Sequence, residues 1–265
     1  MMLNCTWMEE ELFRNYIRPS KRLKINPSLV FDKYFFWEIS QETPTFDKGG
    51  DKGFCKRKHF NHLKNLRSPL STEQYNSLKI RKNYYNRSIS FNLQTKTRLI
   101  INHGNESIFE NSIALHPHYG FPIIPGSAIK GVTKHFCEEF AKLDEHTKKI
   151  IFGNSQNEGS IIFLDAWPIS VGHQFFEIDV FTQHYKEYYQ YNNKLPLDNE
   201  KTVPVNFLVV KKGINFEFAI APSSMCRKKD VDERRLMSKT KTLVCRAMKT
   251  FGIGAKTGSN YGYFN

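Results

Sequence analysis

The chain has 265 residues, with 39 Lys/Arg against 26 Asp/Glu for a net charge of +13, and it is 40% hydrophobic and 14% aromatic. That is enough apolar material for a packed core in one large domain or two small ones. No stretch reaches the ~20 uncharged apolar residues of a membrane helix, and Met1–Glu11 lacks a basic-then-apolar leader, so a soluble cytoplasmic protein is expected.

Cys5, Cys55, Cys137, Cys226 and Cys245 are odd in number, scattered, and contain no C-x-x-C pair. This argues against a disulfide scaffold and a structural metal, and no cofactor is expected. A cationic surplus attracts polyanions whatever the fold beneath it, which makes nucleic acid the leading partner class. Residues 1–87 hold 17 Lys/Arg and 9 Asp/Glu, so most of the excess lies in the N-terminal third.

Residues 1–87 show no sustained period and are read as a basic N-terminal extension. An apolar cluster from Leu29 to Trp37 precedes the loop-like TPTFDKGGDKG. Lys56, Arg57, Lys58, Lys64, Arg67, Arg81, Lys82 and Arg87 then alternate with His59, Phe60, His62, Tyr84 and Tyr85. Cations mixed with planar rings suit phosphate contact with base stacking, and equally a solvated loop.

From Ser88 onward the pattern becomes regular. Ile89, Phe91 and Leu93 alternate with polar residues and the run continues to Ile101, predicting a strand. Ile129, Val132, Thr133, Phe136, Phe140 and Leu143 fall on one face of a helix. GSIIFLDAWPISV (159–171) reads as a second strand disrupted near Pro168. An insert at about 172–202 carries Phe175, Phe176, Tyr185, Tyr188, Tyr189 and Tyr191, too aromatic for a passive linker. VPVNFLVVKKGINFEFAIA (203–221) reads as a hairpin turning at Lys211-Lys212-Gly213. A last helix starts near Asp230 or Asp232 and stops at Gly252. Its apolar stripe is Leu236, Thr240, Leu243, Ala247 and Phe251, with Arg235, Lys239, Arg246 and Lys249 on the other side. The order over 88–265 approximates the β-α-β-β-α-β plan of ferredoxin-like and RNA-recognition (RRM-like) folds, an α+β architecture whose open sheet face is available to RNA.

Two motifs carry chemistry. In IIPGSAIKG (123–131), Pro125 and Gly126 turn the chain, Ser127 occupies the expected helix N-cap, and Lys130 stands where a capping box would place Glu or Gln. Unpaired N–H groups, the helix dipole and a lysine one turn in make a site for phosphate. In GIGAKTGSNYGYF (252–264), glycines 252, 254, 258 and 262 flank Lys256 and Thr257, and successive N–H groups of such a loop can form an anion nest. It is not a Walker A loop: the glycine spacing is wrong and it follows a helix.

These motifs, in this order, resemble the RAMP superfamily of CRISPR proteins, and within it the sixth subunits of Cmr (type III-B) effector complexes. The resemblance rests on His116-Pro117 with Tyr119, Ile124-Pro125-Gly126-Ser127 with Ile129-Lys130-Gly131, Phe163-Leu164-Asp165-Ala166-Trp167-Pro168, Val205-Asn206-Phe207-Leu208, and Gly252 through Thr257. It covers about residues 88–265. Ala128 replaces a common serine, and Asn260 a usual glycine; asparagine is the non-glycine residue best suited to left-handed geometry, so the loop should keep its shape.

The resemblance implies a RAMP ferredoxin-like core and a non-catalytic RNA-binding subunit that holds the 3′ part of the guide CRISPR RNA, contacts target RNA, and packs on other Cmr/RAMP subunits in antiviral defence. The RNA-binding candidates are His116, Tyr119, Ser127, Lys130, Lys134, Arg246, Lys249, Gly252, Gly254, Lys256 and Thr257. The alternative is a metal-independent CRISPR RNA-processing endoribonuclease of the same superfamily, with His116, His118, His173 or His184 as general acid or base. Asp165 is the best acidic candidate for cleavage, and is read as structural.

Overall fold

A computed structural model describes residues 63–65, 75–76, 87–104, 107, 111–169, 174–183, 203–224 and 232–265. The basic and aromatic cluster of the first third lies outside the described residues except for Lys64, which is exposed, and Arg87, which pairs with Glu233 at 2.7 Å. The tyrosines at 185–191, His173 and His184 also lie outside them.

The elements in chain order are β1 (Ile89–Gln94), α1 (Gly126–Glu139), α2 (Glu145–Phe152), β2 (Ile161–Pro168), β3 (Phe176–Gln183), β4 (Val203–Val210), β5 (Asn215–Pro222) and α3 (Glu233–Thr250). One sheet has the order β1-β5-β2, with both neighbours antiparallel to β5. The C-terminus adds a fourth position beside β1: Thr95 and Phe264 form an antiparallel bridge, and Asn265 N–H donates to the Gln94 carbonyl at 2.9 Å. Strand order second, third, first, fourth is that of the expected ferredoxin-like core.

Alternation in β1 buries Phe91 and Leu93 and leaves Ser90, Asn92 and Gln94 exposed. Phe91 pairs with Phe218 and Leu93 with Phe216, and both β5 rings meet Phe264 edge-on. On this face lies α3, with Leu236, Met237, Thr240, Leu243, Val244, Ala247 and Met248 buried. Asp232 caps α3 by accepting from Arg235 N–H at 3.1 Å, and Gly252 ends it at φ 69°. Leu63, ahead of β1, is fully buried in the same core, and Tyr75 packs against it.

Several sequence expectations are corrected. Strands β4 and β5 form, yet not as a hairpin: β4 pairs with β3 in a separate two-stranded sheet, and β5 pairs with β1 and β2. Thr95 parts them, because its hydroxyl donates to the Lys211 carbonyl at 2.9 Å and accepts from Ile214 N–H at 2.9 Å, while its own carbonyl takes Gly213 N–H at 2.7 Å. Nor does β1 run on to Ile101. The chain leaves the sheet after Thr95, and Leu99 exchanges both backbone hydrogen bonds with Val210, tying the two sheets together. Of the insert, Phe176–Gln183 is strand β3, and Phe175 and Phe176 are core residues.

Helix α1 stops at Glu139 instead of continuing to Leu143. Lys142 turns the chain at φ 43°, and Asp144, accepting from Thr147 N–H at 2.8 Å, caps the unexpected α2. Ser127 is not the cap of α1: the helix starts at Gly126, Pro125 is the N-cap with no side-chain bond of its own, and Ser127 is an exposed residue of the first turn.

The capping acceptor is distant in sequence. Gly126 N–H donates to Asp165 Oδ1 at 2.7 Å. Asp165 and Ala166 drop out of the β2–β5 register between Leu164 and Trp167, and Ala166 instead exchanges two 2.9 Å backbone bonds with Ile124. The bulge aims the carboxylate at the helix start. A Cβ on Gly126 would lie 2.1 Å from the Phe163 carbonyl oxygen, so this approach needs glycine. Asp165→Ala should destabilise the chain by about 0.5–2 kcal/mol in urea unfolding, whereas Asp165→Asn, which still offers an oxygen acceptor, should lose much less.

Candidate nucleic-acid interface

Charge is distributed unevenly between the two sides of the core. Strands β1 (ISFNLQ), β2 (IIFLDAWP) and β5 (NFEFAIAP) contain no lysine or arginine, and contribute only Asp165 and Glu217 as charges. Glu217 lies opposite Asn92 and Trp167, and its charge, after burial itself, helps push the Tyr75 hydroxyl to about 12. Among the described residues, these strands therefore supply none of the cations that an RNA platform uses. On α3, Arg234, Arg235, Lys239, Lys241, Arg246 and Lys249 stand against Glu233 alone. Arg235, Lys239, Arg246 and Lys249 are all exposed, as their helical spacing predicts.

Both sequence motifs lie at one end of the core. Strands β1 and β2 are parallel to each other, since each is antiparallel to β5. Gly126 starts α1 against Asp165, toward the C-terminal end of β2, and the loop after α3 packs on residues 98–101, beyond the C-terminal end of β1. Within α1, Lys130 is half-buried, while Ser127 and Lys134 are exposed, Lys134 with Glu138 at 4.0 Å.

The loop Gly252–Phe264 is built by backbone approach. Ala255 N–H donates to the Ile100 carbonyl at 2.8 Å, Gly262 N–H to Arg98 at 2.7 Å, and Ile253 N–H to Gly262 at 2.9 Å. A Cβ on Gly254 would stand 2.0 Å from the Ile100 oxygen, and one on Gly262 2.0 Å from the Ile253 oxygen. Gly252 and Gly254 thus act through close packing and positive φ, and many of the loop's N–H groups are spent inside the protein instead of forming an open nest. Asn260 holds φ 67° and ψ 36°, the left-handed geometry expected of it, and Lys256 holds φ 56°. The loop thereby presents Lys256, exposed, with Nζ 4.7 Å from the Phe181 ring centroid. Thr257 is half-buried and its carbonyl accepts from the Tyr263 hydroxyl at 3.3 Å. Phe181 and Phe207 meet His103 edge-on, and burial followed by the charge of Lys256 holds that imidazole below its ordinary pKa.

Four side chains unforeseen in the sequence lock this loop to the β3–β4 sheet. Arg98 bridges Asp179 at 2.7 Å and Glu177 at 3.1 Å, and the Tyr261 hydroxyl donates to Asp179 at 2.6 Å. Burial opposes the charge on Asp179, but the Tyr261 hydroxyl, the Val180 amide and Arg98 together hold its carboxyl below the usual range. A lowered folded pKa stabilises the native state fully above the ordinary carboxylate value of ~3.9, and that contribution disappears as pH falls through the lowered value. Urea midpoints of wild type should therefore fall more steeply below about pH 4 than those of Asp179→Asn; parallel curves would remove the lock.

His116 and Tyr119 form their own ring group in the turn before α1, His116 lying 4.8 Å from Tyr119 and 5.0 Å from Phe121. His116 Nδ1 accepts from His118 N–H at 3.2 Å, and its carbonyl takes Gly120 N–H at 2.7 Å. These bonds give His116 a turn-forming role.

A family model described as the RAMP superfamily matches residues 92–265. The chain is 29% identical over 236 residues to the CRISPR system Cmr subunit Cmr6 of Pyrococcus furiosus, covering 66% of this chain and 67% of that protein. It is 32% identical over 135 residues to the CRISPR system CMR subunit Cmr6 of Saccharolobus solfataricus, covering 50% of this chain and 45% of that protein, and so spans under half of this second relative. A chain in the cryo-EM structure of the type III-B Cmr-beta bound to cognate target RNA superposes with a TM-score of 0.58 at 25% identity, over 84% of this chain and 77% of that one. The family match takes in the helix-start, strand-end and C-terminal motifs together, within one ferredoxin-like core: the chain belongs to the RAMP superfamily.

Proposed function

We infer that this chain is a Cmr6-like subunit of a type III-B CRISPR effector complex in the cytoplasm, that it binds the 3′ part of the guide RNA, and that it contributes contacts rather than catalysis to target RNA recognition. The observation that carries this reading is the segregation of charge. The cations of α3, with Lys130 and Lys134 of α1 and Lys256 at the loop tip, belong to the helices and the C-terminal loop, while the sheet strands carry none. Guide phosphates would meet Ser127, Lys130 and Lys256 at the end of the core and continue along Arg246 and Lys249. Asp165 caps a helix and is assigned no cleavage role. The described residues contain no helix long and apolar enough to cross a membrane. Similarity to the Cmr6 proteins and to a chain of a target-bound Cmr complex supports RNA and other Cmr subunits as the partners.

Binding of single-stranded RNA as a function of salt tests the reading. A phosphate-tracking surface loses affinity with a log–log slope of roughly −0.7 per phosphate contacted. A flat salt dependence would instead identify an assembly protein whose basic face meets acidic partners.

A further inference from the structure

The C-terminal ends of α1 and α3 meet in a group of rings. Phe251 is at its centre, with His135 stacked on it at 4.9 Å and 28°, and with Phe136 and Phe140 edge-on at 6.0 and 5.2 Å. Phe136 is buried, but Phe140, one residue past the end of α1, keeps 57% of its surface exposed. Among the described residues, Phe140 and Val180 are the large apolar side chains left exposed. Phe140 thus offers an apolar ring face to solvent, which a planar partner could cover.

Its size and rim select the partner. The apolar surface is a single ring wide, whereas a stable protein interface needs about 800 Å² per side. One exposed ring face matches one nucleobase. Around it, the Arg246 guanidinium lies over Phe136 at 5.3 Å, Lys249 stands two residues before Phe251, and Lys142 two after Phe140. Glu138 and Glu139 share the same turn, but Glu138 has Lys134 at 4.0 Å, which leaves the cations in excess.

We propose that Phe140, backed by Phe251 and Phe136, is a stacking shelf for an unpaired base of single-stranded RNA, with Arg246 and Lys249 on the adjoining phosphates. This rests on the RNA-binding reading and adds a base contact to a surface otherwise made of phosphate contacts. The test is fluorescence anisotropy of the full chain with a fluorescein-labelled oligoadenylate, alongside an abasic oligomer of equal length. Phe140→Ala should weaken oligoadenylate binding by about 5- to 100-fold, the range of base–aromatic stacking, with an unchanged salt slope. Phe140→Trp should retain binding, and the abasic oligomer should bind wild type and Phe140→Ala alike. Because the ring is more than half exposed, the alanine variant should stay folded and lose no more than a few degrees in melting temperature, from its contacts with Phe136 and Phe251. Equal oligoadenylate binding by wild type and Phe140→Ala would overturn the shelf and leave the phosphate track standing. Absence of RNA binding by wild type would overturn both. Unchanged RNA binding by Phe140→Ala, with loss of a protein that co-purifies with wild type, would also overturn it and make the ring a protein contact.

Discussion

Gly254→Ala is expected to lower stability by about 3 kcal/mol or more, while Gly258→Ala, in the same loop, should change it by no more than about 0.5 kcal/mol. Gly254 sits at φ 94°, where a side chain is strained, and its Cβ would stand 2.0 Å from the Ile100 carbonyl oxygen. That oxygen accepts Ala255 N–H at 2.8 Å, so relieving the clash means pulling the loop from the segment that joins the two sheets. Gly258 has no atom within 4 Å of the corresponding position. Thermal melts report the difference directly: roughly 2–4 °C per kcal/mol for a chain of this length gives a fall of about 6–12 °C for one variant and almost none for the other. Equal melting temperatures would mean that the loop does not hold this conformation in solution.

Lys130→Ala combined with Lys256→Ala is the second large effect, and it should act on RNA and not on folding. Lys130 is half-buried in the first turns of α1 and Lys256 is exposed at the loop tip, so neither truncation opens the core. The fold loses the contact of Lys256 with Phe181, a contribution of about 0.5–1 kcal/mol at an exposed site. For RNA, each lysine that bonds a phosphate contributes ~1.5–3 kcal/mol, so the pair should weaken binding by at least about 100-fold. The salt slope should become shallower by about 1.4, from ~0.7 per phosphate. Normal guide retention by a folded double variant would remove the phosphate site at this end of the core.

The ferredoxin-like order was legible because its signals are local. Alternation gave β1, an apolar stripe with Asp232 and Gly252 as end signals gave α3, and Asn260 was readable as a left-handed residue from its chemistry alone. What escaped depends on contacts between segments far apart in the chain. Thr95 redirects the β4–β5 turn from 116 residues away, and Asp165 caps a helix that begins 39 residues earlier. Both leave only a faint trace in sequence: a polar residue at the end of a strand, and an acid inside an apolar one. The basic face of α3 was legible from helical spacing. That the strands of one sheet carry no cation became visible only once the sheet order showed that β1, β2 and β5 lie together. In the glycine-rich loop the tight turns are legible from composition, whereas the close backbone packing that requires Gly254 and Gly262 is not. Its glycines permit backbone packing against residues 98–101, and the exposed cation that this packing presents is Lys256.

The most direct test of the central claim is affinity purification of the tagged chain from its native host, with sequencing of the bound RNA, identification of the bound proteins, and a cleavage assay on the isolated chain. The account predicts short RNAs that share a CRISPR repeat-derived 5′ tag, recovered with other Cmr subunits, and no cleavage by the chain alone. Repeat RNA cut by the purified chain without metal would contradict it and make the protein a processing endoribonuclease, with His116 and His118 the next residues to replace.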